Sequence, residues 1–258
     1  MNQTKWYKFL LSEITTLPKD IYSKIEEELE KSQFWTEPHT DDDIKGKKSP
    51  LTQSLQQALD YAFIQSGLNI ISKVLAIKGG IKPDNNDSYL AGGSYFVNFS
   101  GKSIVEIILY PFPDENFELD HEIMIEEIAE IIRHELIHAG QTERRAKRKK
   151  ISLKQAGKEI GDDKRAVPKT SQTDPQYEEI YYSRKNEIEA YAHQTAELLI
   201  KIYGKDNALK YISLPYDHQE MPEYIRDLQI WKPLKNRPKA LKRLKSRIYT
   251  YIQHLTEK

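Results

Sequence analysis

The chain has 258 residues, of which 38% are hydrophobic and 30% charged, and its 39 basic side chains balance 39 acidic ones. That length can bury one sizeable core, or a catalytic domain with a smaller helical accessory. The zero net charge removes any global pull toward nucleic acid or an anionic membrane. The lack of cysteine excludes disulfides and thiolate metal sites and fits a reducing compartment. The N-terminus lacks the apolar core of a signal peptide, and no window reaches the roughly 18 apolar residues that span a bilayer. A soluble, cytoplasmic protein without membrane partners is expected.

Residues 5–33 read as one or two short helices, with Leu10, Leu11, Ile14, Ile21, Ile25 and Leu29 on the apolar side. A linker follows over 36–43, where Pro38 stands among acidic residues. Pro50 suits a helix start, and a helix is expected to run to about Ile77, ended by Gly79 and Gly80. Beyond Ser88 the pattern changes to strands over 95–99 and 103–110, with Ser100-Gly101-Lys102 between them as a hairpin turn. Asp120 is a candidate N-cap for a helix through about Gly140, with Ile125, Ile128, Ile132 and Leu136 at helical spacing. The basic run Arg144 to Lys150 opens a polar stretch to about Gln176, expected as a long loop or flap with one short helix. A helix over 184–202 and an amphipathic one from Pro238, striped by Leu241, Leu244, Ile248, Tyr251 and Leu255, complete the reading.

The chemistry is carried by His134-Glu135-Leu136-Ile137-His138. On a helix, positions i and i+4 share a face one turn apart, so both imidazoles can bind one zinc ion. Glu135 points elsewhere around the helix, beside the metal, where a carboxylate can take a proton from zinc-bound water and return it to a leaving group. Two ligands are too few, because catalytic zinc takes three protein ligands and keeps a position for water.

The order of strand, HExxH helix, long connection and a helix opening with an acidic residue resembles the zincin superfamily. Within it, the likeness is to the Glu-ligand branch, the gluzincins, over about residues 88–203. The run from His134 to Gly140 is also similar to the motif of clostridial neurotoxin light chains. This resemblance implies an α+β, zincin-like domain over 86–258, with a small β-sheet, an HExxH active-site helix and a mainly helical C-terminal half. A helical segment, 1–85, precedes it. It implies a zinc metallopeptidase acting on a polypeptide, with Zn2+ on His134 and His138 and Glu135 as general base.

For the third ligand, the segment Asn186-Glu187-Ile188-Glu189-Ala190-Tyr191-Ala192-His193 is the candidate. Glu187 and Glu189 lie about 200° apart around a helix, so both cannot point at one metal. Periodicity leaves the choice open. The gluzincin pattern, an ExxA or NExxx sequence, implies Glu187, with Glu189 and His193 as rivals. The position four residues after Glu187, often Asp in gluzincins, is Tyr191 here. An oxyanion donor could come from Tyr181, Tyr182, Tyr191, Arg184 or His218. Two other classes of function stay in view, a non-catalytic zincin-like binding or regulatory module and a nucleic-acid-associated protein using the basic stretch 144–150. No aromatic interleaving or recognition motif accompanies that stretch.

Overall fold

The computed structural model describes residues 50–65, 67–76, 91–109, 121–165, 175–215, 218–226 and 231–255. The helices expected over 5–33, the linker at 36–43 and the domain boundary at 85/86 lie outside them. The chain divides into two compact units, residues 1–158 and 159–258.

In the first unit, α1 (Pro50–Gln65) buries Leu55, Leu59 and Phe63 along one stripe. It does not continue to Ile77. Gly67 adopts φ +68°, its amide donates to the Ile64 carbonyl (2.9 Å), and the Leu68 amide donates to the Phe63 carbonyl (2.9 Å). That pair of bonds is a Schellman stop, for which glycine carries no Cβ penalty. The chain then forms strand β1 (Ile70–Ala76), where the expected helix is replaced by extended backbone rich in Ile and Val.

Strands β2 (Ala91–Val97) and β3 (Ser103–Leu109) complete a three-stranded sheet in the order β1-β3-β2. β3 pairs parallel with β1 and antiparallel with β2. The expected hairpin is present, but β2 ends before Asn98, whose side chain organises the turn. Asn98 Oδ1 accepts from the amides of Ser100 (3.0 Å) and Lys102 (2.9 Å). Burial alternates along the strands with period two, so Ile70, Val74, Val105, Ile107, Ala91 and Tyr95 form one face. The register places Ile71, Ile104 and Phe96 in a row on the other face, above an ion pair of Lys73 with Glu106. Ser72 ties β1 to α1, its amide donating to Asp60 Oδ1 at 2.8 Å.

The long helix α2 (His121–Lys149) supplies Ile128, Ile132, Leu136 and Ala139 to the same core as α1 and the sheet. Each fully buried Ile or Leu there contributes about 1.5–3 kcal/mol by leaving water. The helix extends past Gly140, so Arg144–Lys149 form its last turns. Cations there complement the helix dipole, and Lys147, Arg148 and Lys149 are exposed. Lys150, at φ 54°, ends it through a bond from the Ile151 amide to the Ala146 carbonyl (3.1 Å). The stretch expected as a loop or flap with one short helix contains α3 (Leu153–Arg165), capped by Ser152 Oγ accepting from the Gln155 amide (3.2 Å). α3 carries the chain across the boundary of the two units.

The second unit contains α4 (Pro175–Tyr182), α5 (Lys185–Ser213), the short helices α6 (Glu223–Arg226) and α7 (Trp231–Leu234), and α8 (Pro238–Leu255). The helix expected to end near Ile202 continues to Ser213 through a kink at Gly204. Ile188, Ala192, Ala196 and Leu199 of α5, with Leu244, Ile248 and Ile252 of α8, are buried. Asn236 and Arg237 donate to Glu179 (3.0 and 3.1 Å), and these bonds hold its carboxyl below the usual range. The chain is thus α+β, with a small sheet and mostly helical content. No described helix is long and apolar enough to cross a membrane.

Candidate metal centre

The core stripe of α2 fixes where its polar residues face. With Ile132, Leu136 and Ala139 turned into the core, His134 and His138 stand one turn apart, 8% and 2% exposed. Their Nε2 atoms are 3.1 Å apart and the rings meet nearly edge-on, at 82°. Two imidazoles on one tetrahedral zinc, each about 2.0–2.1 Å away, would have their nitrogens roughly 3.3 Å apart, close to that separation. His138 Nδ1 is 3.0 Å from Gln141 Oε1, so a proton on Nδ1 donated to that oxygen leaves the Nε2 lone pair for a cation. Thr142 Oγ1 donates to the His138 carbonyl (2.9 Å), anchoring the same turn.

Glu187 is fully buried, in the first turn of α5, where the helix dipole favours negative charge. His134, His138 and Glu187 each offer a ligand atom, and these atoms lie within 4.8 Å of one another. The group could hold a metal ion. The chemistry of the donors agrees, since two imidazoles and one carboxylate suit zinc and related divalent ions.

Glu135 is 6% exposed, and its Oε2 has no hydrogen-bond partner among the described residues. Gly93 of β2 makes room for this side chain. A Cβ at Gly93 would stand 2.3 Å from Ile131 Cγ2, 3.2 Å from Glu135 Cγ and 3.4 Å from Glu135 Oε1. Only a glycine lets α2 approach the strand this closely.

The rivals for the third ligand have other engagements. Glu189 Oε1 is 2.9 Å from Arg247 Nη2, and both side chains are buried. His193 packs edge-on against Tyr251 and lies 3.7 Å from Glu197. Among the oxyanion candidates, Tyr181, Tyr182 and Tyr191 form a chain of edge-on rings at 5.2 Å steps, with Arg184 over Tyr181. Burial, then the neighbouring Tyr182, Tyr181 and Glu187, push the Tyr191 phenol well above its ordinary value, so it stays protonated as a donor. His218 Nδ1 accepts from the Glu220 amide (3.2 Å) within its own turn.

Sequence reasoning missed Arg247, Gln141 and Gly93. Arg247 carried a signal, a cation inside the apolar stripe of Leu244, Ile248 and Tyr251. Gln141 and Gly93 carried none without the partner they face. The chain matches no family model, no curated protein and no solved structure, so its function is read from these residues.

Proposed function

We propose that the chain is a zincin-like zinc metallopeptidase of the gluzincin type, with His134, His138 and Glu187 as metal ligands. The observation that carries this reading is the buried His134, His138 and Glu187 group, with the buried carboxylate of Glu135 next in sequence to the first ligand. When bound, Zn2+ would polarise a peptide carbonyl and lower the pKa of water.

The chain's own residues supply the rest. Glu135 Oε2, free of protein partners among the described residues, can accept a proton from the attacking water and then hand it to the departing amine nitrogen. Its burial keeps bulk water from competing for that proton. Gln141 holds the His138 ring in the tautomer that leaves Nε2 basic. Among the described residues β2 is paired only with β3, so its outer edge offers backbone donors and acceptors to an extended peptide. Gly93, exposed on that strand and against Glu135, leaves room for substrate backbone to come close.

Metal analysis and a peptide-library cleavage assay test the reading together. Glu135→Gln is expected to retain one equivalent of zinc and lose cleavage, whereas His138→Ala and Glu187→Ala lose both. A wild-type protein that takes up no stoichiometric metal, or cleavage that survives in Glu135→Gln, would sink it.

A further inference from the structure

A seam of buried polar side chains runs along the contact of α5 with α8, and the chemistry above does not use it. On α5, Glu189, His193 and Glu197 follow at i, i+4 and i+8 and so share a face. On α8, Arg247 and Tyr251 stand four residues apart on the buried side. The first rung joins Arg247 to Glu189 at 2.9 Å, with side-chain exposures of 10% and 7%. One turn along, His193 meets Tyr251 with ring centroids 5.2 Å apart. Ile188, Leu199, Leu244 and Ile248, all fully buried, make up the apolar surroundings.

A buried ion pair adds little net stability over apolar side chains of similar volume, because desolvation offsets the attraction. Its effect is on register. Turning α5 by one residue, about 100°, would strand both charges in apolar surroundings. Glu187 and Glu189 lie about 200° apart on the same helix, so fixing one fixes the direction of the other.

We propose that Arg247 is a positioning residue for the metal centre: by engaging Glu189, it withdraws the rival carboxylate and sets the rotation of α5 at which Glu187 meets the cation. The inference rests on the metal-binding reading of His134, His138 and Glu187. Arg247 acts through α5, and Arg rather than Lys suits the role because its planar fork fixes direction as well as charge.

The test is a Zn2+ titration of metal-stripped full-length protein, run beside thermal unfolding of the same apo samples. Wild type is compared with Glu187→Gln, the apolar double variant Glu189→Leu/Arg247→Leu, and Arg247→Lys. The double variant is expected to keep the wild-type unfolding temperature while binding Zn2+ at least about tenfold more weakly, the scale of a lost outer-shell partner. A merely structural pair would leave affinity unchanged once stability is restored, and wild-type affinity in the folded double variant overturns the proposal. Should the double variant not fold, Arg247→Lys decides. A weaker affinity in the folded Lys variant supports the proposal, and an unchanged one overturns it. Wild-type affinity in Glu187→Gln would instead show that the metal reading has failed, and the positioning role with it.

Discussion

The two long helices bury their inner faces in opposite ways. α2 meets the sheet mainly through Ile128, Ile132, Leu136 and Ala139, with Glu127 accepting from the Ala91 amide (3.3 Å) and Glu135 lying against Gly93. α5 meets α8 through apolar residues interrupted by Glu189, Arg247, His193 and Tyr251. The mainly apolar contact derives its strength from buried area. The seamed contact gains less from its polar atoms, but it penalises every register except one. Each style suits what its helix presents. α2 needs only one helical turn to align His134 with His138, whereas α5 must choose between two carboxylates.

Single substitutions can break this contrast, and the largest effect is expected at the seam. Arg247→Met leaves Glu189 buried without its cation and is expected to cost about 3–5 kcal/mol in denaturant unfolding. A cost below that of an ordinary surface change would show the pair to be solvated. Leu136→Ala, in the apolar part of the α2–sheet contact, is expected to cost about 2–5 kcal/mol, with the midpoint shifted and the m-value unchanged. Gly93→Ala pushes a methyl against Ile131 and Glu135 and is expected to cost about 1–3 kcal/mol. On the proposed peptidase reading, cleavage falls further than stability accounts for, and Gly93→Ala/Ile131→Ala recovers part of the stability if the clash is the cause. Gly67→Ala, at φ +68°, is expected to cost about 1–2 kcal/mol. A neutral result would mean that the turn adapts.

The same contrast explains what could be read in advance. The pairing of His134 with His138 was legible because it is local, a matter of four-residue spacing on one helix. The hairpin is legible from its β-branched runs, though the strand pattern runs on through Asn98, which anchors the turn. β1 was misread because Ile70, Ile71, Val74 and Leu75 fall at spacings that fit a helix equally well, and only Gly67 breaks the run. The basic residues after Gly140 looked like a loop, yet cations are favoured at a helix C-terminus, and there they continue α2. The choice between Glu187 and Glu189 had no local answer. Residues 187–190 are all buried, so no polar flank marks a solvent side, and the partner of Glu189, Arg247, is remote in sequence.

α2 is 29 residues long, about 43 Å from end to end, and the two histidines sit near its middle. Helix ends fray first, because their outermost amides and carbonyls lack intrahelical partners. Backbone amides of residues 132–139 are therefore expected to exchange with deuterium only on opening of the whole core, while those after Arg145 exchange by local fraying. On that timescale the His134–His138 pair persists as long as the core itself does, whatever the basic end of the helix is doing.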